Sequence, residues 1–163
     1  MISFEELYQR YSQDVFRFAF YLCGDRAKAE DITSEAFVRL WTASEPLRAA
    51  TIKAYLFAIA RNLYLHERRF DARRGQIDDA IPDAAIDPEG AAGQKETLRA
   101  VFQGLKQLAE VDRSALLMRA MDEMPYEEIA AVLGVPLSTI KVKIHRARLR
   151  LAQFLEPPMR RSL

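Results

Sequence analysis

The chain has 163 residues, half of them hydrophobic and 29% charged, and its 24 basic and 23 acidic side chains nearly cancel to a formal charge of +1. That is enough apolar material for packed cores and too much for a disordered chain, and the length suits one ordinary domain or two small helical ones. Met1 to Leu7 lacks the basic and apolar stretches of a secretory signal, and apolar runs such as Ala54 to Ala60 fall far short of the about 20 residues of a membrane span, so a cytoplasmic protein without membrane insertion is expected.

From Phe4 to Leu22, apolar residues recur at helical spacing through Leu7, Tyr11, Val15, Phe18 and Leu22, which predicts a long amphipathic helix. Gly24 and Asp25 interrupt the pattern. A second helix is expected from about Arg26, burying Ile32, Ala36, Phe37, Leu40 and Trp41. The single cysteine, Cys23, follows Phe20, Tyr21 and Leu22 and reads as a small core residue rather than a redox group. Ser44 to Ala50, with Pro46, reads as a loop, and Thr51 as the N-cap of a third helix whose inner face carries Ile52, Leu56, Ile59 and Leu63 and which ends near Arg69.

Glycines, prolines and acidic residues then accumulate without helical period, and only acidic charge occurs between Ile77 and Glu89. A flexible acidic linker over residues 71–96 is predicted, separating a domain of residues 1–70 from one of residues 97–163. Beyond it, Leu98, Val101, Phe102, Leu105 and Leu108 mark a fourth helix, and Asp112 is expected to cap a fifth carrying Leu116, Leu117 and Ala120. Pro125 separates this pair from the last two helices. No strand-like alternation of useful length occurs, so the fold class is all-α.

Tyr126 to Arg150 has the pattern of a helix-turn-helix. Ala130 permits close helix contact, Gly134 suits a left-handed turn, and Val135 and Ile140 can close a small core with Ile129 and Leu133. Ile144, Ala147 and Leu151 continue the inner face of a helix expected to start near Ser138. Its other face offers Thr139, Lys141, Lys143, Arg146 and Arg150, the side chains with which a recognition helix meets phosphates and base edges. His145 lies in the same helix, where phosphate contact and a surface role are both open. On the third helix, Tyr55, Arg61, Asn62, Tyr64, Arg68 and Arg69 interleave aromatic and polar or basic groups, which suits a nucleic-acid strand held by stacking and charge and equally suits a core helix with a solvated basic side.

Two histidines and one cysteine provide no spacing for a soft-metal site, and neither a metal nor another cofactor is expected. Catalysis is not expected either. Neighbouring carboxylates such as Glu127 with Glu128 point apart on a helix, and Asp78 with Asp79 lie in the linker.

Arg26 to Trp41 resembles the polymerase-binding helix of extracytoplasmic-function sigma factors, within the sigma-70 family of bacterial RNA polymerase. Ala54 to Leu63 is similar to that family's minus-10 segment, and Tyr126 to Ala130 with Thr139 to Lys141 and His145 to Arg148 to its minus-35 reader. Three motifs in order cover most of the chain outside the linker. The resemblance implies a sigma2-like helical bundle and a sigma4-like helix-turn-helix domain that carry core polymerase to promoter DNA and promote its opening.

It also implies roles for particular residues. Glu30, Asp31, Glu35, Phe37, Arg39 and Trp41 would dock on the coiled coil of the polymerase's largest subunit, although Phe37 and Trp41 could equally belong to the core. Tyr55, Arg61, Asn62, Tyr64, Arg68 and Arg69 would hold the opened minus-10 strand, and the loop from Thr42 to Thr51 would capture an extruded base. Ser138, Thr139, Lys141, Lys143, His145, Arg146 and Arg150 would bind the minus-35 duplex. Implied partners are core polymerase through its coiled coil and flap, promoter DNA and an anti-sigma factor, with the linker in the RNA-exit path. The alternative is a decoy that sequesters an anti-sigma factor, but such a mimic should lose its DNA-contacting charge, and Arg61, Arg68, Lys141, Lys143 and Arg146 are present.

Overall fold

A computed structural model describes residues 2–43, 51–75 and 92–155. The regular structure among them is α-helical: α1 (Phe4–Cys23), α2 (Arg26–Thr42), α3 (Ile52–Arg74), α4 (Ala92–Lys106), α5 (Glu110–Asp122), α6 (Tyr126–Leu133) and α7 (Leu137–Ala152). The expected loop at Ser44 to Ala50 lies outside the described residues, as does the linker between residues 76 and 91. Helix α3 runs on to Arg74, past the expected end near Arg69, and α4 begins at Ala92, inside the stretch expected to be linker.

Local chemistry sets the starts of the first three helices. Ser3 accepts a hydrogen bond from the Glu6 N–H at 3.2 Å, Asp25 from Lys28 at 3.0 Å and Thr51 from Ala54 at 3.0 Å, each satisfying a donor that the helix itself leaves free. Gly24 closes α1 at φ 74°, a left-handed conformation that costs a residue with a Cβ about 1 kcal/mol or more. Helix α5 departs from expectation: it starts at Glu110, after Ala109, without a side-chain cap. Asp112 stands in its first turn, where a negative charge opposes the positive end of the helix dipole.

Helices α1, α2 and α3 pack on one another around Val15, Phe18, Ile32, Ala36, Phe37, Leu56 and Phe57. Phe18 and Phe57 stack with ring centroids 4.8 Å apart. The inner face of α3 is rotated from the expected one: Leu56 is buried with Ala54, Phe57, Ala60 and Tyr64, whereas Ile59 and Leu63 are only half-buried. Trp41, expected inside, is 55% exposed, because Phe37 one turn earlier takes the core position at the end of α2.

The same buried cluster continues into helices α4 to α7 through Phe102, Leu105, Leu116, Met118, Ile129, Ile140, Ile144 and Leu151. Gly104 lets α4 lie directly against Leu151 and Phe154, with no room for a Cβ. The two groups of helices also touch: α5 packs on α1, α6 on α3, and Phe102 of α4 stacks on Tyr21 of α1 at 5.2 Å.

Candidate nucleic-acid and protein interfaces

Helices α6 and α7 are joined through Gly134, at φ 66°, and Pro136, whose fixed φ starts α7 at Leu137. Ile140, Ile144, Ala147 and Leu151 form the buried stripe of α7. The opposite side exposes Ser138, Lys141, His145, Arg146 and Arg150, five of the seven residues expected to meet duplex DNA. The other two are partly engaged within the chain. The Thr139 hydroxyl donates to the Pro136 carbonyl at 2.8 Å, and Lys143 Nζ lies 3.6 Å from Asp112. Lys141 Nζ sits 5.6 Å from the centre of the Tyr126 ring and the Arg119 guanidinium 4.6 Å from it, so α6 steadies the cations beside α7. Val142 and Leu149 interrupt the polar face with exposed apolar side chains.

The six residues expected on the strand-binding side of α3 divide. Asn62, Arg68 and Arg69 are exposed and Tyr55 is half-buried. Arg61 instead grips Glu110 of α5 with two bonds, Nε to Oε1 at 2.6 Å and Nη2 to Oε2 at 2.9 Å. Tyr64 is 5% exposed, and its hydroxyl accepts from Arg113 at 3.0 Å and from Arg68 at 3.3 Å. In this arrangement Tyr64 is therefore a packing residue at the seam between the two groups of helices, unavailable to stack on a base.

Arg113, which no sequence motif singles out, is the buried centre of that seam. It donates to the Leu22 carbonyl at 2.8 Å, to Tyr64 and to the Leu108 carbonyl at 3.4 Å, while its Nε lacks a partner. At the other end of the seam, Lys53 reaches Asp14 at 3.3 Å and Asp122 at 3.1 Å. Burial pushes the Glu110 carboxyl up, but hydrogen bonds from Arg61 and Ser114 and the charges of Arg61 and Arg113 outweigh it and hold the group below its ordinary value. For Asp122 burial wins over the Lys53 charge and raises the carboxyl. Cys23, facing the Asp25 carbonyl, is pushed up to about 11 by burial.

On α2, Glu30, Asp31, Glu35, Arg39 and Trp41 are exposed, whereas Phe37 is 1% exposed and cannot meet a partner without unfolding. Glu35 and Arg39 pair at 3.1 Å one turn apart. Trp41 stands edge-on to Phe4 with ring centroids 5.4 Å apart, and Val38 adds a second exposed apolar group that the sequence reading missed. Val38, Asp31 and Glu35 border an open groove of about 430 Å³ shared with Leu63, His66 and Glu67 of α3. Among the described residues, no cluster of three or more His, Cys, Asp or Glu side chains is placed to hold a metal ion, and no helix is long and apolar enough to cross a membrane.

Two stretches of the chain match known family models. Residues 7–74 match the family model described as Sigma-70 region 2, and residues 98–151 that of Sigma-70, region 4. The chain is 31% identical to the ECF RNA polymerase sigma factor SigE of Mycolicibacterium smegmatis over 95% of its own length and 62% of that relative's. It is 30% identical to the RNA polymerase sigma factor YlaC of Bacillus subtilis over 91% of its own length and 90% of that relative's. The sigma factor RpoE of Bartonella quintana, solved in complex with the anti-sigma factor NepR, superposes with a TM-score of 0.77 at 28% identity over 93% of this chain and 95% of that one. With both sigma regions matched in order and relatives of 30% identity or more along nearly the whole chain, the protein belongs to the extracytoplasmic-function sigma factors of the sigma-70 family, transcription initiation factors of bacterial RNA polymerase.

Proposed function

We propose that the protein binds core polymerase in the cytoplasm through α2, places α7 in the major groove of the minus-35 duplex, and holds the opened minus-10 strand on α3. The division of labour follows the two matched regions, residues 7–74 and 98–151. The observation that carries the reading is the outward face of α7, where Lys141, His145, Arg146 and Arg150 stand opposite the buried Ile140, Ile144, Ala147 and Leu151. Such a helix lays its first turns in the groove while its cations meet phosphates, which sets register and affinity.

Opening requires no catalytic side chain and no nucleotide hydrolysis. Extruding and unstacking bases costs a few kcal/mol, offset by contacts to the released strand. Arg61 and Tyr64 engage Glu110 and Arg113 across the seam, so gripping the strand with them requires α5 to withdraw from α3. An anti-sigma factor, the kind of partner on which RpoE of Bartonella quintana is bound, would act on the same two groups of helices.

The docking assignment is tested by charge reversal. Asp31→Lys with Glu35→Lys should abolish co-elution of the chain with sigma-free core polymerase and leave minus-35 duplex binding intact. Unchanged core affinity contradicts the role given to α2.

A further inference from the structure

We propose that Val142 is a sequence-reading residue that packs against the 5-methyl group of a thymine in the minus-35 duplex, an inference that rests on the reading of α7 as the duplex-binding helix. Val142 lies about 200° round the helix from Ile140 and therefore points away from the stripe buried against α5 and α6. It is 47% exposed and is surrounded on the outward face by Ser138, Lys141, His145 and Arg146, all exposed. Nothing in folding favours a β-branched apolar side chain there. Valine is a weaker helix former than the lysines and arginines around it, and its burial contributes little where half of it stays in solvent.

The duplex supplies what the chain does not. The apolar group presented by base pairs in the major groove is the thymine C5-methyl. Long cationic side chains such as Lys141 and Arg146 can extend past the base edges to phosphates, whereas a short, stiff valine in the second turn reaches only the floor of the groove. With no hydrogen-bonding atom, it discriminates by methyl contact and by leaving the amino group of a cytosine or adenine unpaired. Leu149 is also exposed, at 57%, on the same side of α7. It lies about 10 Å nearer the C-terminus, beyond the turns that enter the groove, and so provides an internal control.

The test uses holoenzyme assembled from the full chain and core polymerase, with a minus-35 duplex selected from a random library. Each thymine is replaced in turn by deoxyuridine, which lacks only the methyl. Replacement at one position should weaken binding about fourfold, the worth of one methyl-sized group removed from water. Val142→Ala should bind the thymine and uracil forms equally, while Val142→Ile and Leu149→Ala should keep the discrimination. The inference is overturned if no replacement changes affinity, if Val142→Ala still discriminates, or if the selected element contains no thymine. A holoenzyme that selects no duplex at all overturns the reading of α7 itself, and this inference with it.

Discussion

The guanidinium of Arg61 on α3 holds both carboxylate oxygens of Glu110 on α5, at 2.6 and 2.9 Å, and so joins the two groups of helices by a planar fork. Glu110→Ala leaves that guanidinium without its partner and should lower unfolding stability by about 2 kcal/mol, read from urea titration. The same variant should bind a single-stranded minus-10 oligonucleotide more tightly than the wild type, because Arg61 is released. Weaker strand binding would contradict the competition between Glu110 and DNA.

The pH dependence of this pair has a definite sign. The Glu110 carboxyl is held below its ordinary 4.5 by Arg61, Ser114 and Arg113 against the opposing effect of burial. Its contribution to stability is therefore fully present above pH 4.5 and is lost as pH falls through the lower folded-state value. The stability difference between wild type and Glu110→Gln should be constant near neutrality and shrink in acid; a difference that grows below pH 4.5 contradicts the assignment.

Phe37 and Trp41 stand one turn apart on α2 with opposite fates, 1% and 55% exposed. Phe37→Ala should cost about 3 to 5 kcal/mol of stability through the cavity it leaves. Trp41→Ala should change stability by less than about 1 kcal/mol, the worth of its edge contact with Phe4, yet weaken core polymerase binding roughly tenfold, as aromatic anchors of interfaces do. Thermal unfolding and a core-binding titration on both variants distinguish the roles.

Two lysines of α7 should differ in DNA binding. Lys141 is exposed, whereas Lys143 lies 3.6 Å from Asp112. Lys141→Ala should reduce the slope of log affinity against log salt by about 0.9 for all duplexes alike. Lys143→Ala should change that slope less, since Asp112 already neutralises part of its charge.

Cys23 should be a slow thiol. Burial raises it to about 11 from its ordinary 9.0, so at neutral pH its thiolate fraction is about a hundredfold below that of an exposed cysteine. Alkylation by iodoacetamide in the folded chain should be slower by at least that factor and recover in urea.

What was legible in the sequence was chiefly local. The spacing of Leu7, Val15, Phe18 and Leu22, the cap at Thr51 and the turn glycines at 24 and 134 each act within one or two helical turns, and each stands where its own chemistry requires. The inner stripe of α7 was legible for the same reason. The fates of Tyr64, Arg61 and Arg113 were not, because they depend on α5 crossing α1 and α3, a contact between residues about fifty or more positions apart. Which of Phe37 and Trp41 faces the core was not legible either, because a periodic apolar pattern cannot say which of two aromatic residues one turn apart the core accepts.

The central claim is that this chain directs polymerase to promoters, and one measurement tests it directly. Purified protein is mixed with sigma-free core polymerase and a fragmented genomic library, and the transcripts are sequenced. The account predicts initiation at a limited set of sites that share a minus-35 and a minus-10 element at fixed spacing, lost with Lys141→Ala combined with Arg146→Ala. Start sites identical to those of core polymerase alone would contradict it.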